Sequence, residues 1–157
     1  MKNAMIDIGD KEGILHMTIN ETSIDVRYAE TDQMGVVYHA NYLIWFEIGR
    51  TKLIEQLGFQ YAEMEKDNII SPVIDVKVQY KKPARYGDTV TILTWLEDYN
   101  GLRTIYGYRV MNEKDDLLVT GTTEHVITYA HNFRPTRLKK IYPEWHEVYQ
   151  RELEGNN

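Results

Sequence analysis

The sequence predicts an α+β domain in which one long buried helix packs on a mostly antiparallel sheet. Three observations carry this. An alternating segment precedes Asp32, an apolar repeat of three and four residues runs from Asn41 to Leu57, and strand-like patterning separated by turn signals follows Pro72. One sheet and one such helix cover each other's apolar surface, which gives a two-layer α+β arrangement.

Ile24, Val26 and Tyr28 alternate with Ser23, Asp25 and Arg27, the period of a half-buried strand. A turn from Asp32 to Gly35 follows. In the helix, Tyr42, Trp45, Phe46, Gly49, Leu53 and Leu57 form one stripe, and Ile44, Ile48 and Ile54 add apolar surface around the cylinder. A helix apolar on several sides is expected to be buried. Gly58 is its natural stop, and Tyr61 to Met64 can add one short turn. Ile74, Val76, Val78 and Tyr80 alternate until Pro83, and Tyr86-Gly87-Asp88 turns the chain. Thr89 to Tyr99, Leu102 to Met111 and Leu117 to Tyr129 read as long strands. Asn100-Gly101 predicts a hairpin with a type I′ turn, and Asn112 to Asp116 a second turn. Pro143 and Glu144 open a C-terminal helix with Trp145, Val148, Tyr149 and Leu153 on one face.

The expected organisation is a single domain at 17–140 with a C-terminal helix and tail at 141–157. Residues 1–16 show no clear period, Met17 is a plausible natural start, and the segment is expected to be a flexible or vector-derived leader. Hydrophobic residues make up 43% of the 157, enough for a sizeable core. The net charge of −6 argues against nonspecific nucleic-acid binding. No apolar run reaches membrane-spanning length and no signal peptide is evident, so a cytoplasmic location is the expectation.

The composition narrows the chemistry. Without cysteine there is no thiolate nucleophile or thiolate metal site. Ser23 and Ser71 are the only serines, and neither sits in a nucleophile elbow. The five histidines lack metal-binding spacing, and no Gly-rich phosphate loop occurs. No metal and no cofactor is therefore expected. What remains is a carboxylate: Asp32 lies in a Gly-containing turn shortly before the helical pattern starts near His39 to Asn41. A helix start offers free N–H groups and partial positive charge. Carboxylate and N–H groups together suffice to open a thioester, the N–H groups polarising the carbonyl while the carboxylate attacks it or activates water. On pattern alone, a turn-forming Asp32 explains the residue equally well.

Thr31-Asp32-x-x-Gly35-x-x-Tyr38-His39-x-Asn41-Tyr42, followed by Trp45-Phe46-Glu47-x-x-Arg50, resembles the 4-hydroxybenzoyl-CoA thioesterase family, most closely its YbgC-like branch. The run Tyr80 to Asp88, Gly121 to His125 and Phe133-Arg134-Pro135 extend the likeness over roughly residues 24 to 138. The resemblance implies the hot-dog fold, a curved antiparallel sheet wrapped around a central helix. It implies an acyl-CoA thioesterase that yields free acid and coenzyme A, with coenzyme A present only as part of the substrate. It also implies a catalytic Asp32, with His39 and Tyr28 in the site.

Asn41 is the expected helix N-cap. Glu47 and Arg50 read as an intrahelical or intersubunit ion pair, with Glu47 an alternative carboxylate. Lys81, Lys82 and Arg85, and separately Arg134, Arg137, Lys139 and Lys140, are candidate partners for the phosphates of coenzyme A. Two other classes remain at this point. A hot-dog dehydratase or hydratase would need a different Asp/His spacing, and a noncatalytic acyl-thioester-binding protein would not need Asp32. A homodimer or homotetramer is expected, through open edge strands and with Trp95, Tyr99, Tyr106 and Tyr108 as aromatic anchors.

Overall fold

The computed structural model describes residues 17–154. The leader expected at 1–16 and the last tail residues, 155–157, lie outside the described residues. The elements are β1 (Asn20–Asp25), a 3-10 turn (Tyr28–Glu30), α1 (Asn41–Gln56), α2 (Tyr61–Lys66), β2 (Ile69–Ile70), β3 (Val73–Tyr80) and β4 (Thr89–Tyr99). They continue with β5 (Arg103–Asn112), β6 (Leu117–Val126), β7 (Thr128–Tyr129), α3 (Leu138–Ile141) and α4 (Pro143–Glu154). Five strands form one antiparallel sheet in the order β1-β4-β5-β6-β3, and β2 pairs with β7. No described helix is long and apolar enough to cross a membrane.

The α+β expectation holds, with α1 packed on β1, β4 and β5. Its buried stripe is Tyr42, Trp45, Phe46, Gly49, Leu53 and Ile54. Gly49 sets how close the helix lies to the sheet. A Cβ there would fall 2.3 Å from Thr94 Oγ1 and 3.1 Å from Ile92. Phe46 stacks on Tyr108 at 4.2 Å, and Phe59 on Trp145 at 4.8 Å. The second stack brings α4 into the same core, where Trp145 and Tyr149 are buried.

The sheet has two ends, which matters for every site residue. At the head end lie Asp25, Tyr80, Thr89, Asn112 and Leu117, joined to the start of α1 by the Val37 N–H donating to Ala84 O at 2.8 Å. At the tail end lie Asn20, Val73, Tyr99, Arg103 and Val126, joined to the end of α1 by Asn20 Nδ2 donating to Gln56 Oε1 at 2.9 Å.

Several expectations need correction. The first strand covers Asn20–Asp25 rather than reaching Tyr28, because the Val26 N–H turns away to Asp88 O and the chain enters the 3-10 turn. The strand expected over 117–129 breaks at Ile127, whose N–H bonds Leu102 O, and β7 joins β2 instead. The hairpin at Asn100-Gly101 forms without a type I′ turn. Gly101 has φ +92°, but Asn100 is not among the described residues with positive φ. The Asn100 Oδ1 instead accepts the Leu102 and Arg103 N–H groups at 3.0 and 2.7 Å. Asn41 is the first helical residue, not the cap; the cap position is Ala40, which has no side-chain acceptor. The helix is not buried all round, since Leu43, Ile44 and Ile48 are exposed. Tyr99, Tyr106 and Tyr108 belong to the buried core rather than serving as interface anchors, whereas Trp95, next to the helix-facing Thr94, lies on the opposite face of the sheet against Gly107 and Arg109, outside that core.

One buried carboxylate joins the segment before Asp32 to α1. Glu30, 4% exposed, accepts Asn41 Nδ2 and Trp45 Nε1 on Oε2, each at 2.7 Å. Its Oε1 accepts the Arg27 backbone N–H at 2.8 Å and Arg27 Nε at 3.2 Å. Burial pushes the Glu30 carboxyl pKa up, but these donors outweigh burial and hold it below the ordinary glutamate value.

Two stability outcomes follow. Gly49→Ala, which stabilises an exposed helix by about 1 kcal/mol, should here cost about 1–3 kcal/mol through overpacking against Thr94. A urea melt showing a gain would contradict this packing. Glu30→Ala leaves the buried Trp45 N–H and the Asn41 amide without their acceptor and should cost at least ~2 kcal/mol. A midpoint indistinguishable from wild type would show that this carboxylate does not hold the head of α1.

Candidate active site

Asp32 sits in a tight loop that its own side chain helps to close. Thr31 and Val37 form an isolated antiparallel bridge. Inside it, the Asp32 N–H donates to Val36 O at 2.9 Å and the Gly35 N–H to Asp32 O at 3.0 Å. Gly35 has φ +77°, a left-handed conformation that costs glycine nothing sterically. Asp32 Oδ1 accepts the Met34 N–H at 2.8 Å, so the turn-forming role is real. Among the described residues nothing donates to Oδ2 or forms an ion pair with this carboxylate. Half of the carboxylate thus fixes the loop, and the other half faces out from a half-buried position.

The loop is tied to the head of α1. Only Thr31, with at most about 7 Å of extended chain, separates Asp32 from Glu30, whose side chain binds Asn41 and Trp45. The Tyr38 N–H donates to Glu30 O at 2.9 Å. At the helix start, the Asn41 N–H is spent on Tyr38 O and the Leu43 N–H on Ala40 O. Among the described residues, no acceptor takes the N–H groups of His39, Ala40 or Tyr42. A helix head with uncommitted donors carries partial positive charge and can receive a developing oxyanion.

His39 stands at this head with its imidazole exposed. Its ring lies 4.5 Å from Tyr38 and 6.4 Å, edge-on, from Tyr80, and its carbonyl accepts the Tyr80 O–H at 2.9 Å. Burial raises the Tyr80 phenol pKa, so this hydroxyl remains a donor at neutral pH. Tyr28 is 77% exposed and packs edge-on against Tyr86 at 5.8 Å. Its backbone carbonyl, not its phenol, is what contacts the Asp32 segment, through Thr31 Oγ1 at 2.7 Å.

The two basic clusters lie at opposite ends of the protomer. Lys81 and Lys82 are at the head end, where both backbone N–H groups bond Leu118 O. The Lys82 Nζ pairs with Asp116 at 3.2 Å. Arg85 reaches the Asp32 loop, donating from Nη1 to Gly35 O at 3.2 Å. Arg134 and Arg137 belong to the tail end, where Tyr129 N–H bonds Arg134 O and the Arg137 guanidinium lies against Gly101. Only Arg85 of the five therefore adjoins Asp32 within one protomer. The intrahelical Glu47–Arg50 ion pair does not form; both residues line a cavity farther along α1. Among the described residues no three His, Asp or Glu side chains cluster to hold a metal.

Sequence reasoning missed Glu30 and the pinning role of Tyr80. The i, i+4 spacing of Asn41 and Trp45 puts two donors on one helix face. Nothing local indicates that their acceptor lies 11 and 15 residues upstream.

Comparison with known proteins identifies the family and the fold. The sequence profile of the Thioesterase-like superfamily matches residues 26–146. The chain is 49% identical over 135 residues to a Bacillus subtilis protein named "Putative acyl-CoA thioesterase YneP", covering 86% of this chain and 98% of that one. It is 29% identical over 104 residues to the acyl-CoA thioester hydrolase YbgC of Escherichia coli O6:H1, covering 66% of this chain and 78% of that one. The crystal structure of a DHNA-CoA thioesterase from Staphylococcus aureus superposes with a TM-score of 0.87 at 48% identity, over 88% of this chain and 93% of that one. The antiparallel sheet with its packed helix is thus the hot-dog fold, and the chain belongs to the Thioesterase-like superfamily.

Proposed function

We propose that the protein hydrolyses an acyl-CoA thioester to the free acid and coenzyme A, with Asp32 as the working carboxylate. The observation that carries the reading is the juxtaposition of a carboxylate, fixed through one oxygen only, with a helix head whose leading N–H groups are uncommitted. The thioester carbonyl oxygen takes the N–H groups of residues 39, 40 and 42. The Asp32 carboxylate either removes a proton from water as it adds to the carbonyl, or adds to the carbonyl itself. On either path the negative charge develops on the oxygen at the helix head, where it is stabilised. The C–S bond then breaks, and the thiolate leaves and takes up a proton; on the second path water then cleaves the Asp32–acyl anhydride, releasing the free acid and restoring the carboxylate. His39 orients the substrate at this point, and Arg85 holds the loop through Gly35 while offering positive charge to coenzyme A phosphates. The reading uses no metal and no cofactor beyond the coenzyme A of the substrate.

We infer that the working unit is a homodimer joined through β3. This strand is a sheet edge, and seven of its eight residues, all but Val78, are exposed. Ile74 is 47% and Val76 40% exposed, and Ile44 and Ile48 on α1 are exposed as well. An edge strand with open N–H and C=O groups is complementary to an antiparallel copy of itself about a two-fold axis. The two sheets then form one ten-stranded layer.

Asp32→Asn keeps the shape of the side chain and removes its charge. Thiol release from the best substrate in an acyl-CoA panel should fall by about two orders of magnitude or more. The panel needs aryl as well as alkyl thioesters, given the Staphylococcus aureus relative. Near-wild-type turnover by the purified variant would refute the assignment.

Light scattering coupled to gel filtration should give twice the chain mass at micromolar concentration. Val76→Lys combined with Ile48→Lys should shift the protein to monomer and lower turnover. A wild-type monomer that turns over substrate would remove the dimer from the account.

A further inference from the structure

The first turn of α1 leaves one carbonyl oxygen without a backbone partner. In a regular helix the Leu43 N–H would bond the carbonyl four residues back, at His39. Here it bonds Ala40 O at 3.2 Å, and the Asn41 N–H bonds Tyr38 O at 2.9 Å. Both are tight contacts of the 3-10 kind, three residues back. Among the described residues no backbone N–H reaches the His39 carbonyl. Its donor comes from the sheet instead: the hydroxyl of Tyr80, the last residue of β3, at 2.9 Å.

Several contacts place that phenol. The Tyr80 backbone pairs with Val119 of β6, and just beyond it the Lys81 and Lys82 N–H groups bond Leu118 O at 2.8 and 3.1 Å. Its ring stands edge-on to Tyr42 of α1 at 5.6 Å and to His39 at 6.4 Å. Tyr42 is itself buried, and its hydroxyl accepts the Ala84 N–H at 3.3 Å. Tyr80 is exposed, so water is available to its hydroxyl. The O–H is nonetheless turned onto a carbonyl at the helix head.

We propose that Tyr80 is a positioning residue for the thioester carbonyl: by holding the His39 oxygen it aims the Ala40 N–H out of the helix head and strengthens it as a donor to the oxyanion. The proposal rests on the thioesterase reading. The His39 C=O and the Ala40 N–H belong to one peptide unit, which is planar and trans, so the two bonds point in opposite directions. Fixing the oxygen therefore fixes the N–H. Among the described residues nothing accepts that N–H. Without the phenol the unit can swing about the bonds on either side, and the donor loses its aim.

The hydrogen bond to the oxygen also draws electron density from the nitrogen, which strengthens the N–H as a donor by about 10–30%. That gain grows as charge develops on the substrate oxygen, so it favours the transition state over the bound substrate. Burial raises the Tyr80 phenol pKa, which keeps the proton on the donating oxygen near neutrality. The donor is thus carried by the helix and aimed from the edge strand of the sheet.

Removing one oxygen atom tests this. Tyr80→Phe keeps the ring against Tyr42 and His39 and deletes only the hydroxyl. It should lower kcat about 10-fold, a fraction of the loss on deleting an oxyanion donor outright, and change KM less than about twofold. The direct readout is the carbonyl itself. The probes are analogues of benzoyl-CoA and octanoyl-CoA with CH₂ in place of the thioester sulfur, ¹³C-labelled at the carbonyl, which bind without C–S cleavage. Isotope-edited infrared spectra should show the bound carbonyl band at lower frequency than in free solution. Tyr80→Phe should reduce that shift, and 3-fluorotyrosine at the same position, which retains the O–H, should restore it. A bound band at the free-solution frequency for both analogues overturns the inference, whether or not Tyr80→Phe folds. So does a folded Tyr80→Phe protein with wild-type kcat, or one in which kcat falls while the shift is unchanged. Failure of the thioesterase reading is a separate result. If Asp32→Asn keeps full turnover while the shift still depends on Tyr80, Asp32 loses its role and the positioning role stands. If Asp32→Asn is inactive and Tyr80→Phe alters neither kcat nor the shift, the thioesterase reading stands without Tyr80.

Discussion

The buried carboxylate of Glu30 is the joint on which the active region depends. It gathers four donors from three places: the Arg27 backbone, the Arg27 side chain, and Asn41 and Trp45 of the first helix. A buried charge persists when its lone pairs are occupied, and here the occupants are the elements that must be held together. The Asp32 loop leaves this joint at one side and the helix head at the other. Their relative position is therefore fixed by a residue that need not touch substrate. Asp32 spends one oxygen on the loop and leaves the other without a partner among the described residues.

The close approach of helix to sheet is the second constraint. Gly49 over Thr94 brings α1 down onto β4, and Phe46 stacking on Tyr108 continues the contact into β5. The helix axis is thereby fixed, and with it the direction in which the leading N–H groups point. Packing far from Asp32 thus aims the donors that an oxyanion would use.

Much of this was legible in the sequence, for identifiable reasons. The α1 repeat and the alternation in β3 to β6 are local periodicities, and local periodicity survives into the fold. The Thr31-Asp32-x-x-Gly35 spacing encodes a loop closed mainly by short-range bonds, Arg85 to Gly35 O being the distant exception, so its geometry also came through. What failed was long-range or depended on which surface is covered. Tyr99, Tyr106 and Tyr108 look like interface residues in a list of aromatics, yet they fill the core of the protomer. Leu43, Ile44 and Ile48 look like core and are exposed in the protomer. The type I′ expectation failed because the Asn100 side chain supplies the turn's hydrogen bonds without positive φ. The Arg50 cavity was invisible because its walls come from six elements between residues 47 and 149.

The span of that cavity has a consequence for how the protein comes into being. Its first wall residue, Glu47, belongs to the first helix, while Trp145 and Tyr149 close it from α4. The main sheet is complete at Val126, and the chain must extend through Tyr149 before the roof can dock. At about 5–20 residues per second, synthesis holds the nascent domain roofless for a second or more. In that interval Tyr106 and His125 on the sheet lack the Trp145 and Tyr149 that cover them in the finished protein. The C-terminal helix therefore acts as a finishing step in biosynthesis. A chain released early would carry Asp32 and its loop intact, together with a sticky surface of the kind that chaperones and proteases recognise.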